Sequence, residues 1–300
     1  MNCKKITDKE RVDDIRKLLQ FDGATNPRMF AGNKTIYHYQ FENMLATKRS
    51  DATYPTIADY YKRGKEDELW RQTIQRRRRD LHPDTLPSMV DVFECYRINT
   101  GPIVSFKPST AKYIYNLFSA ENILDPTAGW GGRMLGAMLD HKNRRYTGYD
   151  TNIAMRGAYQ GMIDNICEWR PNIARRCNII WESCLDADFT HQYDLVLTSP
   201  PYSNKEIYEN MPNADVGDND ASGWSSDDDY YKSFLLPLMR KLEAETNCPL
   251  CINISPKMYK LLTTKYGFPE CYCKIDLRQQ MGKAFKTKSQ DYIYVWMHHI

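Results

Sequence analysis

Two kinds of hydrophobic pattern divide the chain. Over residues 8–21 the apolar positions Val12, Ile15, Leu18 and Leu19 fall on one face at helical spacing. A segment bearing Gly, Asn and Pro, 22–33, breaks the pattern. Residues 37–47 and 55–79 read as further helical material, and Pro83 and Pro87 mark a connection. From about residue 100, short apolar runs alternate with helix-length segments, as a parallel α/β sheet requires. Strands are predicted at 122–125, 146–150, 178–182, 194–198 and 250–255, and helices at 109–118, 132–139, 153–169, 228–245 and 257–266. Two β-like runs, 271–279 and 292–298, close the chain as an antiparallel hairpin on the sheet edge. The expected organisation is a mainly helical accessory region over 1–99 and an α/β domain over 100–300, with no internal repeat.

The polar residues that punctuate this pattern carry the chemistry. Ile123-Leu124-Asp125-Pro126-Thr127-Ala128-Gly129-Trp130-Gly131-Gly132 runs from an apolar strand through a glycine-rich turn into a helix. Glycines let a ligand approach the backbone closely, and a helix N-terminus offers unpaired N–H groups to an anion. Asp150 ends the second strand, 21 residues after Gly129, where it can accept from ribose hydroxyls. A nicotinamide dinucleotide site uses the same elements, but its G-x-G-x-x-G fingerprint wants glycine where Met134 stands. Either the segment holds an adenosine-containing ligand, or it is a tight turn with an aspartate at the surface.

A second run, Asp194-Leu195-Val196-Leu197-Thr198-Ser199-Pro200-Pro201-Tyr202, places Ser-Pro-Pro-Tyr after another apolar strand, with Ser199 70 residues beyond Gly129. Consecutive prolines fix φ and remove two N–H donors. Such a turn presents acceptors to a substrate and little else.

With these two motifs, residues 100–300 resemble the S-adenosyl-L-methionine-dependent amino-methyltransferases that act on adenine N6 or cytosine N4 of DNA. The resemblance implies a Rossmann-like class I methyltransferase fold: a mostly parallel seven-stranded sheet with a C-terminal antiparallel hairpin. It assigns the cofactor to Asp125, Pro126, Thr127, Ala128, Gly129 and Gly131, with Asp150 at the ribose. Phe106 and Pro108 match the Phe-Pro motif that closes over the cofactor, although they also read as a helix start with proline near its first position. Ser183 and Cys184 stand, by position, where the family contacts the adenine ring. Ser199, Pro200, Pro201 and Tyr202 match the catalytic tetrapeptide. There the Ser199 side chain and the Pro200 carbonyl would hold both amino hydrogens, while Tyr202 stacks on a base flipped out of the duplex. Serine at the first position leans towards cytosine N4. Two other readings stay open: an RNA base amino-methyltransferase, and a catalytically silent subunit that binds nucleic acid.

Composition narrows the setting. With 300 residues, 42% hydrophobic and 26% charged, the chain has the makeup of a soluble globular protein. Its polar N-terminus and the absence of an 18-residue apolar run lead to an expected intracellular, cytoplasmic location with no membrane partner. Nine cysteines without regular spacing fit reduced thiols, and Cys248, Cys251, Cys271 and Cys273 are expected as thiols rather than zinc ligands, with no metal.

The net charge of +3 is unevenly spread: residues 1–99 carry 19 Lys and Arg against 15 Asp and Glu, the remainder 22 against 23. Arg76, Arg77, Arg78 and Arg79 form either a phosphate-binding run or a solvated helix face, and Lys283, Lys286 and Lys288 form a second basic cluster. DNA is the expected partner, ahead of RNA; a restriction nuclease or other protein partner is not identified by these residues. The segment 203–227 is acidic and reads as a lid or as the approach to a helix whose first turn takes Asp227, Asp228 and Asp229.

Overall fold

The computed structural model describes residues 5–27, 31–49, 56–59, 88, 105–202, 206–207, 224–277 and 291–297. Seven strands form one sheet: β1 (Asn122–Asp125), β2 (Arg145–Tyr149), β3 (Cys177–Ile180), β4 (Leu195–Thr198), β5 (Leu250–Ile254), β6 (Cys273–Leu277) and β7 (Asp291–Trp296). Their order is β3-β2-β1-β4-β5-β7-β6. The first five run parallel, and β7 is antiparallel to both β5 and β6. This is the expected Rossmann-like sheet, seven-stranded and mostly parallel, with its closing antiparallel hairpin. The chain winds outward from β1 in one direction and from β4 in the other, so a crevice opens beyond the carboxyl ends of these two strands.

The central strands β1, β4 and β5 read as nearly unbroken apolar runs because both faces of the sheet are covered there, whereas the edge strand β6 is largely exposed. Ile123, Leu195, Leu197, Cys251, Ile293 and Val295 join the core on one side, and Leu124, Val196, Leu250, Ile252, Ile254 and Tyr294 join the core on the other. The first side is closed by α3 (Pro108–Leu117), α4 (Gly132–Met138) and α5 (Arg156–Cys167). The second is closed by α6 (Leu236–Glu245) and α7 (Pro256–Thr264).

Two N-terminal helices, α1 (Asp8–Gln20) and α2 (Asn33–Ala46), share the first core through Ile15, Leu18, Ile36, Phe41 and Met44. Helix α2 starts four residues earlier than its apolar pattern predicts. Asp14 of α1 supplies the cap: its buried carboxylate accepts from the Gly32 and Thr35 N–H groups, each at 2.9 Å. Lys112 of α3 ties the parts together, its buried ammonium donating to the carbonyls of Leu18 at 3.0 Å and Leu139 at 2.9 Å. Burial pulls that ammonium down to about 8.

The predicted helix 228–245 is three segments: Asp227–Tyr230, a π turn over Tyr231–Leu235, and α6. Pro237 has no N–H for the carbonyl of Ser233, and the helix widens just before it. Ser226 caps the first segment, and Asp228 accepts from Lys232 at 2.6 Å and from Lys265 at 2.7 Å. Asp227, Asp228 and Asp229 thus face the positive end of the helix dipole, while Asp215, Asp218 and Asp220 lie outside the described residues. Cys248 and Cys251 are buried, Cys271 is half-buried and Cys273 exposed. Among the described residues no helix is long and apolar enough to cross a membrane.

Candidate active site

The glycine turn leaves β1 and enters α4. Gly129 and Gly131 take φ of 60° and 84°, a left-handed conformation that favours glycine. Gly132 serves a different need, since a Cβ there would lie 1.8 Å from the carbonyl oxygen of Phe106. Phe106 therefore sits directly against the turn, with the Arg133 guanidinium 5.2 Å from its ring centroid, while the Pro108 carbonyl faces Gly136 further along α4. Pro108 opens α3, as the reading of this segment as a helix start expects.

Asp125 is placed differently from a ligand contact. It is fully buried, and its carboxylate accepts from Arg133 Nε at 2.6 Å, Thr198 Oγ1 at 2.9 Å and Thr127 N at 3.3 Å, as well as from the Tyr146 hydroxyl. A buried charge is tolerable only when paired and hydrogen-bonded in this way. Thr127 and Thr198 share a hydrogen bond at 2.6 Å, joining the glycine turn to the end of β4. Asp125 shapes the turn, and its side chain is committed to the protein.

Asp150, by contrast, sits at the turn with its carboxylate accepting from the Gly129 and Asn152 N–H groups at 2.7 and 2.9 Å. Burial raises its carboxyl to about 6, against the downward pull of those two donors. Beside it, Asn152 is buried, and neither polar atom of its side-chain amide has a partner among the described residues. A buried amide without partners is costly, and a ligand in this crevice would offer them. Periodicity gives no sign of this residue; its only signal is its place two residues after Asp150. Ser183 accepts from Leu185 N at 3.1 Å just beyond β3. Cys184 is fully buried within the second core, together with Tyr149 and Phe189, so its thiol is part of the packing rather than of an adenine pocket.

Across the crevice, Ser199 to Tyr202 follow β4. Pro200 is buried, whereas Ser199, Pro201 and Tyr202 are half-buried. The Pro201 carbonyl accepts from the buried Tyr230 hydroxyl at 2.6 Å. Ser199 Oγ lies 3.3 Å from Asn253 Oδ1 on β5, and Asn253 Nδ2 donates to the Tyr292 carbonyl at 2.8 Å. Tyr230 and Asn253 belong to the site, yet no sequence motif contains them. The two-residue strand Glu206–Ile207 beyond the turn pairs with Lys48–Arg49 of the N-terminal region. Arg76 to Arg79 and Lys283, Lys286 and Lys288 lie outside the described residues.

No protein-family model matches the chain, and comparison with curated proteins gives no match. Solved structures do resemble it. An RNA methyltransferase from Salinibacter ruber in complex with S-adenosyl-L-homocysteine aligns over 66% of this chain and 96% of its own, at 12% identity and a TM-score of 0.40. A SAM-dependent O-methyltransferase from Thermotoga maritima aligns over 72% of this chain and 73% of its own, at 9% identity and a TM-score of 0.43. An rRNA methylase from Streptococcus thermophilus aligns over 60% and 87%, at 10% identity and a TM-score of 0.36. At such identities the likeness is one of fold.

Proposed function

We propose that this protein is an S-adenosylmethionine-dependent methyltransferase that modifies an exocyclic amino group of a base in DNA, cytosine N4 ahead of adenine N6. One observation carries the reading. The glycine turn after β1 and the Ser-Pro-Pro-Tyr turn after β4 flank the crevice where the strand order reverses, joined through Thr127 and Thr198.

The residues present fit the cofactor. The turn holds glycines where a ligand must touch backbone, Asp150 is a desolvated carboxylate suited to a ribose diol, and the Asn152 amide is buried without partners. S-adenosylmethionine supplies an electrophilic methyl group on a cationic sulfonium. The protein's part is positioning and electrostatics. An exocyclic amine is a poor nucleophile because its lone pair is delocalised into the ring. Ser199 Oγ and the Pro200 carbonyl hold its two hydrogens and favour a more tetrahedral nitrogen aimed at the methyl group. Tyr202 stacks on the base, which must leave a duplex to enter the crevice. Arg76 to Arg79 are proposed as contacts to the nucleic-acid backbone.

The deciding experiment incubates purified protein with methyl-labelled S-adenosylmethionine and mixed genomic DNA and total RNA, followed by mass spectrometry of the nucleosides. N4-methylcytosine or N6-methyladenine in DNA is expected. Label confined to RNA overturns the DNA assignment, and label in neither overturns the reading as a whole.

A further inference from the structure

The structure assigns to Asn253 a positioning role: it fixes the Ser199 hydroxyl so that this oxygen can only accept from a substrate amine. The inference rests on the proposed methyl transfer at the Ser-Pro-Pro-Tyr turn and names a residue outside that motif.

The sheet register brings the pair together. Thr198 on β4 lies opposite Ile252 on β5, so the next residues, Ser199 and Asn253, meet at the carboxyl ends of adjacent parallel strands. Asn253 is buried, with 6% of its surface exposed. A main-chain carbonyl can only accept, so the Asn253 atom 2.8 Å from the Tyr292 carbonyl is its NH2. The amide is thereby oriented, and the atom facing Ser199 at 3.3 Å is its carbonyl oxygen. That oxygen has no hydrogen to give. The Ser199 hydroxyl must therefore donate to it, which turns the Ser199 lone pairs outward.

A free serine hydroxyl rotates and serves as donor or acceptor alike. Next to Asn253 it cannot, and an amino group is the complementary partner. A keto oxygen at the same position, as on a deaminated base, would meet an acceptor. The Asn253 amide thus biases the site towards amino-bearing bases with no ionised group at the turn.

Two measurements test this. Neutron diffraction on deuterium-exchanged crystals of the protein should place the Ser199 deuteron towards Asn253 Oδ1; a deuteron directed elsewhere overturns the assignment whatever the enzyme's activity. Kinetics at saturating cofactor supply the second. Asn253→Ala should lower kcat at least tenfold while leaving cofactor affinity within twofold. Asn253→Asp, when protonated, reproduces both hydrogen bonds, with its O–H on the Tyr292 carbonyl and its C=O facing Ser199. Its kcat relative to the unaltered protein should therefore rise as pH falls from 8 to 6. Equal, pH-independent losses in both variants, accompanied by lost cofactor binding, would mean that Asn253 only supports the fold and would overturn the proposal. If the unaltered protein methylates no nucleic acid, the functional reading falls, and the neutron result still decides the polarity of the pair.

Discussion

The Tyr230 hydroxyl donates to the Pro201 carbonyl at 2.6 Å, holding the middle of the Ser-Pro-Pro-Tyr turn from the segment that leads into α6. Two prolines leave this turn with few internal hydrogen bonds, so its position depends on such outside anchors. Tyr230→Phe removes one buried hydrogen bond and leaves a desolvated carbonyl, a cost of about 1–3 kcal/mol. On the proposed reading, methyl transfer should slow by tenfold or more while cofactor affinity, measured by calorimetry, stays the same, because the Tyr230 hydroxyl bonds to the Ser-Pro-Pro-Tyr turn rather than to the glycine turn or Asp150.

Asp150 predicts a pH dependence of cofactor binding. Burial pushes its carboxyl from the usual 3.8 up to about 6. On the proposed cofactor reading, ribose hydroxyls would donate to the ionised form, so affinity for S-adenosylhomocysteine should be flat above pH 6 and fall by up to about tenfold per pH unit below it. The ligand-free fold responds in the opposite sense. A raised carboxyl contributes stability that is fully present below pH 3.8 and is lost as pH rises through about 6. Asp150→Asn should remove both dependences, and calorimetric titration from pH 5 to 8 checks the first.

The central strands β1, β4 and β5 were legible in the sequence within a residue or two because both faces of the sheet are buried there and apolar runs mark their extent. The two turns were legible because glycine and proline punctuate them. Asp14 capping α2, Tyr230 reaching Pro201 and Asn253 orienting Ser199 were not, since each joins residues whose proximity is set by packing or register. The π turn followed neither a helical period nor a motif; only Pro237 signalled it. Asp125 shows the converse, since its place in a recognised motif pointed to the ligand while its carboxylate is spent on four protein donors.

Gly132 predicts a loss of a different kind. A methyl group there would overlap the Phe106 carbonyl, an atom of the backbone that cannot swing aside like a side chain. Gly132→Ala should push the Phe106 segment off the turn, with an overpacking cost of about 1–3 kcal/mol in stability and a loss of cofactor binding larger than that of Phe106→Ala. Gly157→Ala, where nothing lies within 4 Å of the added carbon, is the matched control and should bind normally.

Asp14 tests whether the N-terminal helices fold as one body with the α/β sheet. Its carboxylate meets the Gly32 and Thr35 N–H groups and the Thr35 hydroxyl at 2.9, 2.9 and 3.1 Å, all buried. Asp14→Ala leaves two main-chain donors at the start of α2 without an acceptor, a loss of about 1–3 kcal/mol. Helices α1 and α2 share their core with α3, α4 and α5, and Lys112 bonds to the carbonyls of both Leu18 and Leu139. The destabilisation should therefore lower a single cooperative thermal transition that near-UV and far-UV circular dichroism report together. A separate low-temperature transition confined to helical signal, with the Asp150-dependent cofactor binding intact above it, would mean that the N-terminal helices fold on their own account.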